Sequence, residues 1–113
     1  MNEKKVLQLM SLAMKAGKIT AGEEMTERDL KYHASHLVLI ARDASQKTRE
    51  RFQTKARNKN VPVFLLGTKE QLGKFIGKEQ RAVISVKDIR FSEAMIKLLC
   101  VNDESGGYVE CIK

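Results

Sequence analysis

Proline is almost missing from this chain: Pro62 is the only one. That excludes a proline-rich linker and argues for a compact fold with short connections. Cysteine is nearly as scarce. Cys100 and Cys111 lie late in the chain, without metal-ligand spacing or a flanking cluster of Cys or His, so neither a zinc module nor a disulfide framework is expected. Apolar runs are short, and none approaches the roughly 20 residues that span a bilayer. Met1 to Lys5 leads into an amphipathic stretch and not into the unbroken apolar segment of a signal peptide. The expectation is a cytoplasmic protein with reduced thiols and no membrane partner.

Enzyme signatures are also missing. There is no P-loop, no dinucleotide-binding glycine fingerprint after a strand, and no nucleophile elbow. The two histidines, His33 and His36, stand three apart without a Cys, Asp or Glu at ligand spacing. They read as a helix end and the loop after it, with no metal and no cofactor implied. The chain is read as not an enzyme.

What remains is a chain of 113 residues, 42% apolar, with a net charge of +7 from 21 Lys and Arg against 14 Asp and Glu. That length fits one domain with a real core. The basic excess favours a polyanionic partner, because phosphates attract Lys and Arg and release counterions. The plain alternative is a surface kept soluble by its charge.

Hydrophobic spacing predicts alternating helices and strands. A first helix covers 4–16, burying Val6, Leu9, Met10 and Ala13, with Leu7 and Met14 widening the stripe and Gly17 ending it. Ile19 to Ala21 form a short extended piece. Gly22 opens a second, unusually polar surface helix over 23–33, and Thr20 with Glu23 has capping-box spacing. Leu37 to Ala41 suit a strand buried on both faces. Asp43 and Ser45 are cap candidates for a third helix, 46–58, whose buried stripe is Phe52 and Ala56. Val61 to Leu66 make the next strand. Thr68 and Gln71 give a capping box for a short fourth helix that buries Leu72, Phe75 and Ile76 and ends at Gly77. Ala82 to Val86 form the last strand, and a fifth helix, 91–100, carries Phe91, Ala94, Met95 and Leu98. The segment 101–113 reads as a mobile tail, with Tyr108 to Ile112 as an alternative edge strand. The expected fold is a single α/β domain over 1–100: a three-layer α/β/α sandwich around a small central mixed sheet.

Two regions stand out as sites. The third helix carries Lys47, Arg49, Arg51, Lys55, Arg57 and Lys59 against Glu50 alone. At 3.6 residues per turn these are spread around the helix, which fits a solvated face as well as a nucleic-acid surface. The start of the second helix is more specific. Its first N–H groups and dipole favour a phosphate, Gly22 lets a backbone approach, Lys15 and Lys18 precede it, and Arg28 follows. An ordinary capped surface helix is the competing reading.

Several segments together carry a resemblance. They are Leu12 to Lys18, Thr20 to Glu24, Ala41 to Ser45, Val61 to Val63, and Gly67 to Gly73 with Ile76 to Lys78. In this combination and order the chain resembles, over residues 4–99, the bacterial YlxQ-like proteins of the ribosomal L-seven-Ae and L-thirty-e superfamily, whose members bind kink-turns in RNA. The resemblance implies an α/β/α sandwich that sets the start of the second helix against sheared G·A pairs, with a loop before the last strand beside a flipped-out nucleotide. In kink-turn binders that helix start reads Gly, a small residue, Asn, Glu, two variable residues, then Lys. Gly22 matches and Arg28 keeps the cation, but Glu24 stands for the Asn and Met25 for the Glu. The loop, apolar in those binders, is Lys78, Glu79, Gln80 and Arg81 here.

The resulting expectation is a ribosome- or translation-associated RNA-binding protein, acting as a monomer and without a chemical step. Its candidate RNA-binding residues are Lys18, Gly22, Glu23, Glu24, Met25, Arg28, Arg42, Lys78, Glu79 and Arg81. Lys18, Arg28, Lys78 and Arg81 are assigned to phosphates or guanine edges, Glu23 to capping the helix, and Glu24 to accepting hydrogen bonds from guanine N–H groups. Two other readings stay open. One is a protein-interaction module of the translation or transcription machinery. The other is an accessory subunit of an RNA-modifying enzyme, whose catalytic domain would sit on another chain.

Overall fold

The computed structural model describes residues 2–100. The tail from Val101, expected to be mobile or an edge strand, lies outside the described residues. The element order is α1 (Glu3–Lys15), β1 (Ile19–Ala21), α2 (Glu23–Lys31), β2 (Leu37–Ile40), α3 (Gln46–Asn58), β3 (Val63–Leu65), α4 (Lys69–Phe75), β4 (Val83–Val86) and α5 (Ile89–Leu99).

The strands form one mixed sheet in the order β1-β4-β2-β3. β4 is antiparallel to both β1 and β2, and β2 is parallel to β3. The register pairs Ile19 and Leu37 with Val86, and Val38 with Val63. β2 and β4 are buried at every position, as expected of central strands with helices on both faces. α1 packs with α4 and α5 in one layer; α2 and α3 pack together in the other. The fold is the expected three-layer α/β/α sandwich.

Helix ends follow identifiable caps. Ser45 caps α3 by accepting from the Thr48 N–H at 3.1 Å. Thr68 and Gln71 form the reciprocal box at the start of α4. Asp43, the other cap candidate for α3, turns instead to α4, where its Oδ1 accepts from the Lys69 N–H at 2.8 Å. α2 ends at Lys31, two residues short of the expected stop, because His33 takes the left-handed conformation with φ 59°. α5 begins at Ile89, two residues early, because the Asp88 carboxylate accepts from the N–H groups of Arg90 and Phe91. The buried face of α5 also differs from the expected stripe. Ser92, Met95 and Leu99 are buried, Phe91 and Leu98 are only half-buried, and Ala94 is exposed.

One hydrophobic cluster joins both layers through the sheet. Phe52 anchors α3 and is fully buried; truncating such a side chain to Ala costs about 3–5 kcal/mol. No helix among the described residues is long and apolar enough to cross a membrane.

The sheet has two distinct ends. β1, β2 and β3 run the same way and β4 runs against them. The carboxyl ends of β1, β2 and β3 therefore meet the start of β4 at one end, the upper end. The turns from α1, α2 and α3 into their strands gather at the opposite, lower end, with the turn from β4 into α5.

Candidate functional site

Open α/β sheets bind ligands beyond the carboxyl ends of their strands, which here is the upper end. Backbone hydrogen bonds draw four segments together there. The Gly22 N–H donates to the Val83 carbonyl at 2.8 Å, Ala41 to Ala82 at 2.8 Å, Arg42 to Gly67 at 2.8 Å, and Arg81 to Lys69 at 3.1 Å. The start of α2 is thus fixed beside the start of β4 and the polar loop 77–82 that leads into it.

Gly22 is the N-cap of α2, with φ 100° and ψ 161°. Side chains other than glycine's are strained in this region. A Cβ built on Gly22 would meet nothing within 4 Å, so the space over this turn is open. No side chain caps α2, and the N–H groups of its first turn face outward without the hydroxyl that serves α3 and α4. This corrects the capping-box expectation for Thr20 and Glu23. Thr20 lies in β1, and its hydroxyl donates instead to the buried Asp29 carboxylate on α2. That bond pins the helix to the strand.

Glu23 is drawn sideways. Arg51 of α3 reaches Glu23 at 3.2 Å and Glu27 at 3.3 Å, and Lys55 reaches Glu27 at 2.9 Å. The Lys55 hydrogen bond and charge, with Arg51 adding to them, hold the Glu27 carboxyl below its ordinary range. This network ties the two helices side by side and engages two of the six cations that made α3 look like a nucleic-acid surface.

The expected site residues divide by position. Gly22, Glu24, Met25, Arg42, Lys78, Glu79 and Arg81 share the upper end. Glu24 and Met25 are exposed on the first turn of α2, and neither Glu24 nor Lys78 makes an ion pair among the described residues. Arg42 pairs with Glu3, whose other oxygen accepts from the Gly67 N–H at 3.2 Å; α1 is thereby strapped to the strand ends. Arg81 bends back onto its own loop, donating to the Gln80 carbonyl at 2.9 Å and the Glu79 carbonyl at 3.2 Å. An open hollow of about 660 Å³ lies here, lined by Glu70, Lys74, Lys78, Glu79, Gln80 and Arg81. The loop packs tightly on Gly73 of α4, where a Cβ would stand 2.0 Å from the Glu79 carbonyl oxygen.

Arg28 lies in the last turn of α2, roughly 9 Å along the helix axis from Gly22. Lys18 is not part of the upper cluster. It stands at the other end of β1, roughly 13 Å away at strand spacing, where its carbonyl accepts from the Lys87 N–H at 2.8 Å. Nothing in the sequence marks Lys87 as a neighbour of Lys18; only the β1–β4 pairing places it there. Arg49 is also more than a member of a charge run: it is half-buried on α3, and its Nε has no hydrogen-bond partner. No cluster of three or more His, Cys, Asp or Glu side chains suited to a metal exists among the described residues.

The profile of the Ribosomal protein L7Ae/L30e/S12e/Gadd45 family matches residues 4–96. The chain belongs to that family. It is 34% identical over 98 residues to RNA-binding protein YlxQ of Enterococcus faecium, covering 87% of this chain and 94% of that one. It is also 34% identical over 91 residues to RNA-binding protein YlxQ of Bacillus subtilis (strain 168), covering 80% and 91%. A solved Bacillus halodurans protein of unknown function superposes with a TM-score of 0.80 at 34% identity, over 83% of this chain and 95% of that one. The Giardia lamblia 15.5kD RNA binding protein superposes with a TM-score of 0.75 over 87% and 85%, at 19% identity; that likeness concerns the fold alone.

Proposed function

We propose that this chain is a non-catalytic, cytoplasmic RNA-binding protein of the translation apparatus, which receives structured RNA at the upper end of its sheet. The observation that carries the reading is the start of α2: a helix opened by glycine, without a side-chain cap, with free space above it and a polar loop fixed beside it. Outward N–H groups at a helix start suit a phosphate, and Lys78, Arg81 and Arg42 add cations beside them. The family and the YlxQ relatives support RNA as the ligand.

Recognition here works by position and hydrogen bonding. Phosphate contacts set the register, and base contacts select the sequence or shape. Glu24, ionised, offers only acceptors and suits guanine N–H groups, while Met25 can only pack. A kink-turn is therefore held less tightly than by Asn and Glu at these positions, by about 1–3 kcal/mol per lost base contact.

Titration of a kink-turn RNA and a plain duplex of equal length at several salt concentrations tests the proposal. Log K is expected to fall linearly with log salt, by about 0.7 to 0.9 per phosphate neutralised. Glu24→Asn with Met25→Glu is expected to strengthen kink-turn binding more than duplex binding. A flat salt response would remove RNA as the ligand and favour a protein partner. Loss of a pre-existing kink-turn preference in the double variant would make Glu24 and Met25 the native readers.

A further inference from the structure

The lower end of the sheet carries the charge that the upper end lacks. The α1–β1 turn brings Lys15 and Lys18 there, and the α2–β2 turn brings Lys31. The α3–β3 turn adds Arg57 and Lys59, and the β4–α5 turn adds Lys87 and Arg90. All are exposed. The acids at this end are Asp88, already committed to capping α5, Asp29, buried and bonded to Thr20, and Glu93, exposed one turn into α5. At the upper end, by contrast, Arg42, Lys47, Lys69, Lys74, Lys78 and Arg81 are interspersed with Glu3, Glu23, Glu24, Asp43, Glu70 and Glu79.

Helix dipoles account for part of the lower set, since Lys15, Lys31 and Arg57 lie in last turns. They do not account for Lys18 and Lys87, which extend strands, nor for Arg90, which sits in the first turn of α5, where the dipole opposes a cation. Solubility needs net charge but does not need it gathered at one end. Sheet pairing makes the patch continuous: Lys87 bonds to Lys18 on one side, and His36 bonds to Val86 on the other, both at 2.8 Å. Tyr32 stands beside it, 65% exposed, with the Lys31 ammonium 5.7 Å from its ring centre. A large exposed aromatic next to cations is the combination that stacks an unpaired base while holding its backbone.

α2 connects the two ends. At about 100° per residue, Glu24, Met25, Arg28, Lys31 and Tyr32 fall on one face spanning roughly 120°, and each is exposed. That face begins at the upper end and finishes at Tyr32.

We propose that the lower end is a second RNA surface, on which a single strand leaving the upper site along α2 is held by Lys18, Lys31 and Lys87, with an unpaired base stacked on Tyr32. This rests on the RNA-binding reading of the upper end. The test uses a kink-turn hairpin RNA with and without a single-stranded uridine extension of about ten nucleotides. The extension is expected to tighten binding to the wild type roughly tenfold. Lys18→Glu with Lys87→Glu should abolish that gain while leaving the hairpin alone bound within about twofold, a change well under one stacked base. The chain has two tyrosines and no tryptophan, so a Tyr108→Phe protein reports from Tyr32 alone. Its fluorescence should be quenched by the extended RNA and not by polyglutamate. An extension without benefit, or a benefit that survives the double charge reversal, overturns the proposal while the upper site stands. Polyglutamate binding with unquenched Tyr32 overturns it in favour of an acidic protein partner. If the wild type binds neither RNA, both readings fall.

Discussion

The two ends of the sheet solve different problems with similar residues. At the upper end four charges have a local duty: Arg42 holds Glu3, Asp43 holds the start of α4, Glu23 holds Arg51, and Arg81 folds onto its own loop. At the lower end the cations project outward, with Arg90 and Asp88 as a loose pair at 3.9 Å. A surface that orders its own side chains before a ligand arrives suits shape-selective recognition, because less ordering remains to be done on binding. A surface of exposed cations suits attraction of a polyanion, with strong salt dependence and little discrimination.

The largest expected effect on the upper end alone is at Gly73. An exposed helical glycine replaced by alanine gains about 1 kcal/mol. Here the new methyl group would collide with the Glu79 backbone, so Gly73→Ala should instead destabilise the protein by about 1–3 kcal/mol, the usual cost of overpacking. Thermal melting checks the sign. RNA titration of the folded variant should show the upper end weakened through its displaced loop, with the lower end intact.

Gly22→Ala comes next. The space is free but the backbone is not, and the strain should cost about 1–2 kcal/mol. Denaturant melts measure it, and unchanged stability would mean that α2 tolerates another entry. A smaller contrast is Arg28→Ala against Arg57→Ala. Arg28 lies on the path between the two ends, and its loss should weaken RNA binding by about 1–3 kcal/mol if it reads a guanine edge. Arg57, farther from that path, should matter less. Equal small effects would indicate a diffuse patch.

The smallest effect concerns pH. Glu27 titrates below its ordinary value of 4.5 because Lys55 and Arg51 face it. A depressed carboxylate stabilises the fold above its unfolded-state value, and that contribution disappears as pH falls through the folded-state value. Glu27→Gln should therefore melt below wild type near pH 7, and the two should converge as pH falls through the lowered folded-state value of Glu27. A constant gap across that range would show that the α2–α3 network contributes through packing and not through charge.

Much of the fold was legible in the sequence, because its signals are local. The apolar runs at Leu37 and Val83, the Phe52 and Ala56 pair, and the Thr68–Gln71 box each declare an element within a few residues. What was hidden depends on pairing. Thr20 and Glu23 have the spacing of a cap, yet Thr20 prefers Asp29 once β1 and α2 pack, and Glu23 prefers Arg51 once α3 lies alongside. Asp43 looked like a cap for the helix that follows it and serves the next one, because β2 and β3 end side by side. Lys18 looked like part of the glycine turn only four residues on, but a strand lies between and carries it to the opposite end. Gly22, Glu24, Met25 and the 77–82 loop were readable as neighbours only through the family resemblance, since more than fifty residues of chain separate them.

RNA is proposed to sit at the upper end, against the start of α2 and the loop before β4. Amide chemical-shift mapping of the full chain during titration with a kink-turn RNA tests it most directly. The largest changes are expected on Gly22 to Met25 and on Lys78 to Arg81, with smaller changes along the exposed face of α2. Shifts centred on α1 and α5, with the N–H groups of Glu23 and Glu24 unmoved, would contradict it.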